Sequence, residues 1–341
     1  MSAGRVGLQR RFEIPGFVDL QVNGFEGVDF SSEDLTEESF SEACRNLIGE
    51  GTAAILPTMI TSSSDIYEHN LPIIARALSS KEFRGRLLGI HIEGPFISSV
   101  SGAVGAHNPE WVRPGDPVFL ERLQDLAGGT IRLLTIAAEI ENAGNVIRRA
   151  TDMGITVSLG HQMANDHDLE LAIHAGAIAL THLGNGIPSM LPRHPNPLWA
   201  GLAEQRLTAM IIADGHHLPP SVMKLILKAK GVGNTIVVSD ASPIAGMPPG
   251  EYQTLGNPVV LEESGLLHNP EKGVLVGSSA TMLHCMNYLH SLGLLDLKEL
   301  LDVGFFNPLK LVGCATESIN PEPLITFRPD HGFDLLNPRT A

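Results

Sequence analysis

The sequence predicts an α/β fold in which eight parallel strands, alternating with helices, close into a TIM (β/α)8 barrel. Short runs of apolar and β-branched residues recur along the chain, and such runs are typical of parallel strands buried on both faces. Segments with helical spacing separate them, which is the alternation of βαβ units. The 341 residues suffice for one large α/β domain, and 35 glycines and 23 prolines suit many tight turns.

The predicted elements follow in order along the chain. The strands are residues 17–22, 53–56, 87–92, 131–136, 155–159, 178–180, 208–213 and 235–238. The helices are residues 37–50, 66–78, 118–126, 145–153, 165–175, 219–230, 281–293 and 297–303. Pro57 and Thr58 are expected to close the second strand, and Asn165 to cap the helix after the fifth. The Pro-rich residues beyond Cys314 are expected to be irregular.

Two histidines organise the expected site. His161 follows the fifth apolar run and His182 follows the sixth, so each lies at the carboxyl end of one of two neighbouring strands. Neighbouring parallel strands lie about 5 Å apart, and the two imidazoles can therefore share one metal ion. The alternative at this point is a pair of hydrogen-bonded loop histidines.

Polar residues at the other strand ends favour the metal site. Side chains at the carboxyl ends of barrel strands converge on one mouth, where TIM-barrel chemistry takes place. One carboxylate and two histidines leave a position open for water, and this set suits catalytic Zn²⁺ or Fe²⁺. Asp240, after the last strand, is not needed as a ligand and is available to move protons. The polar residues expected at the mouth are Gln21, Asn23, Glu93, His161, His182, His216, His217 and Asp240.

Some of these assignments have a structural alternative. Glu93 can cap a loop, and Asp240 can serve as the N-cap of a following turn. His107 lies in the long loop 97–117, and its residue type alone does not decide its role. The choice between His216 and His217 is a question of register that spacing does not settle.

The composition narrows the class of partner. A net charge of −15 argues against nucleic acid and anionic membranes, although a locally positive site can still take an anionic small substrate. The cysteines, Cys44, Cys285 and Cys314, have no metal-ligand spacing and no even number for pairing, which predicts a reducing cytoplasm. Neither a signal peptide nor an apolar run of transmembrane length is recognised, so secretion and membrane insertion are not expected.

Eight motifs in order make the chain resemble a known family. They are PGFVDLQVNG (15–24), HIEGPF (91–96), GAHNP (105–109), SLGH (158–161), THLGNGIP (181–188), IADGHH (212–217), VSDASPIAGMPPGEY (238–252) and GSSATM (277–282). Over about residues 14–315 the chain resembles the N-acetylglucosamine-6-phosphate deacetylases of the amidohydrolase superfamily. The resemblance implies metal-dependent hydrolysis of the acetamide of N-acetylglucosamine 6-phosphate, giving glucosamine 6-phosphate and acetate.

The resemblance implies catalytic roles for the residues that match the motifs. Glu93, His161 and His182 match the ligands of one divalent metal ion per chain, with Zn²⁺ expected and Fe²⁺ as the alternative. Asp240 matches the aspartate that activates the metal-bound water and acts as general base and then acid. His107 matches the histidine that helps the metal to polarise the acetamide carbonyl.

The resemblance implies substrate contacts as well. His217 is the better match for the sugar-phosphate histidine, because the family has ADG, one further residue and then His. Asn185 and the backbone of Gly186 match phosphate-loop positions. Arg193 stands eleven residues after His182, where the family has an arginine that reaches the neighbouring subunit's phosphate. The resemblance therefore implies a homodimer.

Two departures from the family pattern concern the site. Gln21 and Asn23 stand where many amidohydrolases have a His-x-His pair, which argues against a second metal. The family usually has an aromatic residue and Asn-Ala-Met after THL, and this chain has Gly-Asn-Gly-Ile at 184–187. This leaves a different N-acyl sugar, such as N-acetylgalactosamine 6-phosphate, or another N-acyl compound, as the alternative substrate.

A third departure concerns the family's small β domain. Only about fourteen residues precede Pro15, so this domain is expected to be missing or reduced to a few strands. Residues 1–13 and 316–341 would then be short terminal extensions of a barrel over 14–315. A catalytically silent sugar-phosphate-binding homologue is the remaining alternative, and the presence of every ligand and of Asp240 argues against it.

Overall fold

The computed structural model describes residues 12–338 and contains eight parallel strands in one sheet. Hydrogen bonds join the strands in chain order, from β1 to β8. The strands are β1 (Phe17–Val22), β2 (Thr52–Ile60), β3 (Ile90–Glu93), β4 (Ile131–Ile136), β5 (Thr156–Leu159), β6 (Ala179–Leu180), β7 (Thr208–Ile212) and β8 (Thr235–Val238). This order confirms the predicted TIM barrel.

The first and last strands meet and close the barrel. Val22 and Ala241 form a parallel bridge, and the backbone N–H of Asn23 donates to the carbonyl oxygen of Ala241 at 2.7 Å. Further from the mouth, the carboxyl group of Asp19 accepts hydrogen bonds from the backbone N–H of Ser239 at 3.1 Å and from the Ser239 hydroxyl. Closure places the carboxyl ends of the strands around one mouth.

Ten α-helices occur in the part of the chain that the structure describes. They are α1 (Glu37–Gly49), α2 (Ser64–Ser79), α3 (Pro117–Leu126), α4 (Ala143–Asp152), α5 (Asp166–Ala175), α6 (Pro197–Ala203), α7 (Pro220–Lys230), α8 (Met282–Ser291), α9 (Leu297–Leu301) and α10 (Asn307–Leu311). Asn165 caps α5 as predicted, because its side chain accepts from the N–H groups of His167 and Asp168. The cap fixes the start of the helix that follows β5 and His161 along the chain.

Apolar side chains fill the inside of the barrel. Val18 and Leu20 of β1 pack there with Met210 of β7, and each of these side chains is fully buried. Phe305, from the segment between α9 and α10, packs into the same cluster. The interior is therefore a packed core rather than a channel, and polar chemistry is confined to the mouth.

Residues between β8 and α8 form a four-stranded antiparallel sheet that the sequence analysis did not anticipate. We call it the mouth sheet. Its strands are β9 (Gly250–Thr254), β10 (Asn257–Leu261), β11 (Leu267–Asn269) and β12 (Val274–Leu275). The turn between β9 and β10 is Leu255-Gly256, which lacks the Asn-Gly or Asp-Gly pair that signals a two-residue hairpin.

Two predictions about secondary structure are wrong. Pro57 does not close the second strand, because β2 continues to Ile60. The pairing of β1 with β2 is irregular between Asp19 and Val22, so the missing N–H of Pro57 interrupts no regular ladder. The chain beyond Cys314 is not entirely irregular either, since 325–328 and 332–335 form a hairpin.

The terminal hairpin also binds the start of the described chain. Its first strand, Ile325–Arg328, pairs with Phe12–Ile14 in an antiparallel three-stranded sheet. Residues 1–11 and 339–341 lie outside the described residues, and the division into a barrel over 14–315 and two terminal extensions stays a prediction. Within 12–338, no helix combines the length and apolar character needed to cross a membrane.

Candidate metal centre and active site

Glu93, His161 and His182 meet at the barrel mouth, where their strands β3, β5 and β6 end. Their ligand atoms all lie within 4.8 Å of one another, and all three residues are buried. Oε1 of Glu93 lies 3.0 Å from Nε2 of His182 and 3.3 Å from Nε2 of His161. The two Nε2 atoms are 3.1 Å apart. The prediction that these residues converge from separate strands is thus fulfilled in the geometry.

The donor atoms of this cluster suit a divalent cation. Nδ1 of His161 lies 2.8 Å from the carbonyl oxygen of Ala103, so Nδ1 donates this hydrogen bond and Nε2 is the ring atom that faces Glu93 and His182. Burial raises the pKa of Glu93, but the hydrogen bonds from both histidines outweigh it and hold the pKa well below its ordinary value. One carboxylate oxygen and two imidazole nitrogens are a donor set of Zn²⁺ and Fe²⁺.

Backbone strain is concentrated at these positions. His161 has φ 49°, His182 has φ 30° and Asp240 has φ 51°. Non-glycine residues rarely adopt positive φ, at a cost of order 1–3 kcal/mol each when the conformation is sparsely populated. The surrounding fold therefore holds three residues of one site in backbone conformations that His and Asp rarely adopt.

Gln21 and Asn23 act on two different carboxylates. The amide Nε2 of Gln21 donates to Oε1 of Glu93, and the amide Nδ2 of Asn23 donates to Oδ1 of Asp240, each at 2.8 Å. The side-chain amide oxygens, Oε1 of Gln21 and Oδ1 of Asn23, are buried and lack a hydrogen-bond partner among the described residues. Gln21 in β1 and Asn23 directly after it therefore each orient one carboxylate of the site.

Asp240 is buried at the mouth and lines the same cavity as the Glu93 cluster. Burial, together with the negative charge of Glu93, raises the pKa of Asp240 to about 6. A carboxyl group with such a pKa can both accept and donate a proton near neutral pH. A turn follows at 243–246, and the carboxyl group of Asp240 accepts a hydrogen bond from Asn23 across the barrel seam.

His107 reaches the cluster from the long loop. Its Nε2 lies 3.2 Å from Nε2 of His161 and 3.7 Å from Oε2 of Glu93. Its Nδ1 accepts a hydrogen bond from the backbone N–H of Thr61 at 3.3 Å, so the proton of the neutral ring resides on Nε2. Burial, with the positive charge of His161, lowers the pKa of His107 to about 3. His107 is thus a neutral donor aimed into the site.

The two adjacent histidines after β7 line different cavities. His217 lines the cavity of the metal cluster, and its Nδ1 lies 2.7 Å from Oδ2 of Asp214. Nε2 of His216 instead lies 3.0 Å from the carbonyl oxygen of Ser264, and this residue lines a different cavity. The preference for His217 agrees with this geometry.

The remaining predicted contacts divide into two groups. Asn185 and Gly186 line the same cavity, whose volume is about 480 Å³. Gly186 has φ 61°, and a Cβ atom there would lie 3.0 Å from Cε1 of His182 and 3.1 Å from Nδ1 of His161, so the loop needs a glycine at this position.

Arg193 is exposed and does not line this cavity, and its role stays a prediction.

Sequence reasoning missed a buried polar chain beneath the cluster. Nδ1 of His91 lies 3.0 Å from the carbonyl oxygen of Leu20, and its Nε2 lies 2.8 Å from Oγ1 of Thr135. Thr135 is in turn 2.8 Å from Oγ1 of Thr181, the residue before His182. The available signal was the spacing of His91 and Glu93, because residues two apart on a strand share a face.

Known proteins match this chain over almost its whole length. An N-acetylglucosamine-6-phosphate deacetylase of Bos taurus is 33% identical over 335 residues, which cover 95% of this chain and 79% of the relative. That of Danio rerio is 31% identical and covers 98% of this chain, with 82% of its own length. No family model matches the chain.

Solved structures match as well. A mutant N-acetyl-D-glucosamine-6-phosphate deacetylase from Mycobacterium smegmatis, in complex with N-acetyl-D-glucosamine-6-phosphate, has a TM-score of 0.85 and 25% identity and covers 97% of this chain and 88% of its own. The deacetylase of Pasteurella multocida has a TM-score of 0.82 and 29% identity, covering 95% and 84%.

Proposed function

The chain belongs to the N-acetylglucosamine-6-phosphate deacetylase family of the amidohydrolase superfamily, and from this premise we infer that it hydrolyses the acetamide of N-acetylglucosamine 6-phosphate to glucosamine 6-phosphate and acetate. One observation carries the inference from the chain's own residues. The cluster of Glu93, His161 and His182, the carboxyl group of Asp240 and the loop of Asn185 all line a single cavity at the barrel mouth.

Glu93, His161 and His182 would hold one divalent ion per chain, with Zn²⁺ favoured by the donor set and Fe²⁺ as the alternative. Such an ion acidifies a water molecule and acts as a Lewis acid towards an acyl oxygen, both of which an inert amide requires. Gln21 orients Glu93 through its amide, and the carbonyl of Ala103 fixes the tautomer of His161. These contacts preorganise the cluster.

Asp240 would move the proton of the reaction. Its carboxylate accepts a proton from the attacking water and delivers it to the amide nitrogen as the C–N bond breaks, so that glucosamine 6-phosphate leaves as an amine. Asn23 holds Oδ1 and leaves Oδ2 for this exchange. A pKa raised to about 6 by burial and by Glu93 suits both halves of the task.

His107 would stabilise the negative charge that develops on the acyl oxygen. Because its Nδ1 accepts from Thr61, its Nε2–H is available as a donor toward the cluster. The low pKa of His107 keeps the ring neutral, so that this donor is present across the physiological pH range.

The sugar phosphate would bind in the part of the cavity that His217, Asn185 and Gly186 line. His217, held by Asp214, and the loop of Asn185 and Gly186 offer a ring and backbone groups that can contact an anionic substrate. We propose that Arg193 of a neighbouring subunit adds a guanidinium to this phosphate, which makes the enzyme a homodimer. We also propose that the enzyme is located in the cytoplasm.

A product assay tests the proposal. Acetate release is measured with N-acetylglucosamine 6-phosphate, N-acetylgalactosamine 6-phosphate and both unphosphorylated sugars. We expect the highest kcat/KM with N-acetylglucosamine 6-phosphate. A higher value with the galactose epimer would favour the alternative substrate, and no release from any of the four sugars would contradict a deacetylase of this class.

A further inference from the structure

The mouth sheet places a leucine at the active site in a strained conformation. Leu255 has φ 49° at the first position of the two-residue turn between β9 and β10. Such turns need positive φ at both central positions and are usually filled by Asn, Asp or Gly. Six non-glycine residues in the described chain have positive φ, and four of them line the catalytic cavity: His161, His182, Asp240 and Leu255. Three of the four belong to the proposed catalytic set, which suggests that Leu255 also serves the site.

Leu255 lies between two cavities. The catalytic cavity of about 480 Å³ and a second cavity of about 460 Å³ share four lining residues: Ile60, Ala106, His107 and Leu255. The second cavity extends away from the metal cluster, because its other lining residues include Ser62 and Trp111 and none of the cluster. The four shared residues thus form a partition between the two cavities, and His107 is part of it.

The partition is held firmly in place. The Nδ2 of Asn257 donates to the carbonyl oxygens of both Ala106 and Leu255 at 2.8 Å, which ties the turn to the residue before His107. The backbone N–H of Leu255 donates to Oδ2 of Asp29 at 3.4 Å. The Leu255 side chain is 9% exposed and packs in an apolar cluster with Ile60.

The acyl group of the substrate should face this partition. Hydrolysis requires the acyl carbon at the Glu93 cluster, with the amine on one side and the acyl substituent on the other. The sugar phosphate is assigned to His217 and Asn185, which line the catalytic cavity but not the second cavity. We therefore place the substituent of the acyl carbon toward the residues that the two cavities share. There the partition presents the apolar side chains of Ile60 and Leu255.

We propose that Leu255, with Ile60, sets the acyl-chain specificity of the enzyme by closing the space behind His107 to groups longer than acetyl. The inference rests on the proposed function. It explains why a leucine occupies a turn position that favours Asn or Gly, since glycine has no side chain to fill this space and asparagine would place a polar amide beside the acyl group. Leu255 is assigned as a specificity residue and takes no part in proton transfer.

The test compares kcat/KM for N-butanoylglucosamine 6-phosphate and N-acetylglucosamine 6-phosphate. We expect the wild-type enzyme to favour the acetyl substrate, and Leu255→Ala to raise the butanoyl-to-acetyl ratio about tenfold or more, as for a change of methylene groups in an apolar pocket. Leu255→Gly should do the same and adopts φ 49° without strain. The control is Leu261→Ala, which removes a buried leucine of the same apolar cluster that lines neither cavity, and should leave the ratio unchanged.

Three outcomes would overturn the inference alone while acetate release persists. These are an unchanged ratio in both folded Leu255 variants, an equal rise in Leu261→Ala, or a wild-type enzyme that cleaves both substrates equally well. A wild-type enzyme that releases no acetate from any N-acetyl amino-sugar phosphate would overturn the proposed function and this inference with it.

Discussion

The amide of Asn23, at the end of the first barrel strand, donates to Oδ1 of Asp240, at the end of the last, over 2.8 Å. The bond crosses the seam at which the barrel closes, so closure of the fold and orientation of the proposed proton carrier are coupled. A hydrogen bond to the ionised form of a carboxyl group lowers its pKa. Asn23 thus limits the rise that burial and Glu93 impose on the pKa of Asp240.

The first prediction concerns this bond. Asn23→Ala should raise the pKa of Asp240 above about 6, because the bond that favours the carboxylate is lost. Since the base must be ionised, the acidic limb of the kcat/KM profile should move to higher pH, by roughly one unit, as for a hydrogen bond to a charged group. The control is Asn70→Ala, which removes an equally buried amide that donates to the carbonyls of Phe30 and Ser32. An acidic limb that stays in place in Asn23→Ala would contradict the coupling.

The second prediction separates proton transfer from metal binding. Asp240→Asn keeps the size of the side chain and the acceptor for Asn23, but it removes the titratable group. We expect turnover to fall by roughly 10²–10⁴-fold, the usual contribution of general acid–base catalysis. Metal content, measured by elemental analysis, should stay near that of the wild type. Parallel loss of metal and activity would place Asp240 in the coordination shell instead.

Much of this site was predictable because barrel geometry ties a position in the sequence to a position in space. The apolar runs before Glu93, His161 and His182 identify strands, and parallel strands of one barrel end at one mouth. The convergence of strand ends does not, however, predict in which direction each side chain points. The choice of His217 over His216 depends on the bonds to Asp214 and to the carbonyl of Ser264, which lies 48 residues away along the chain.

The mouth sheet was not predictable for a different reason. Its strands are two to five residues long, and the turn between β9 and β10 has a leucine where the usual signal would be Asn or Gly. His91 was missed because a histidine inside an apolar strand is most simply a core residue. Only the structure shows that its ring is linked through Thr135 to the residue before His182.

The third prediction concerns the number of metal ions. Protein purified without added metal should contain one divalent ion per chain, because Glu93, His161 and His182 are the single group among the described residues whose ligand atoms lie close enough to hold a metal ion. His182→Ala should lose that ion, and a chelator should lower the Tm of the wild type toward that of this variant. His216→Ala is the matched control, since it also removes a histidine, but one that lines another cavity. Two equivalents per chain in an active wild-type sample would refute the single site.

The last prediction assigns Arg193 to the neighbouring subunit's substrate. Arg193 is exposed on the loop between β6 and α6 and does not line the cavity of its own chain, although its carbonyl accepts a hydrogen bond from Nε1 of Trp199. Arg193→Ala should raise KM for a 6-phosphorylated substrate by roughly ten- to 150-fold, the worth of a hydrogen bond to a charged group. The unphosphorylated analogue should be little affected, and Arg148→Ala, which removes an exposed arginine on α4, should change neither value.

Mixed dimers decide whether the arginine acts across the interface. Combining Arg193→Ala chains with Asp240→Asn chains creates one mouth with an intact Asp240 and an intact Arg193 from the partner, while the other mouth lacks both. We therefore expect activity to return on mixing, up to the share of dimers that contain one chain of each kind. If both variants form dimers, exchange subunits and yet recover no activity, Arg193 does not serve the neighbouring site. The increase in KM would then have to arise within one chain, and the loop would have to move to bring the guanidinium to its own cavity.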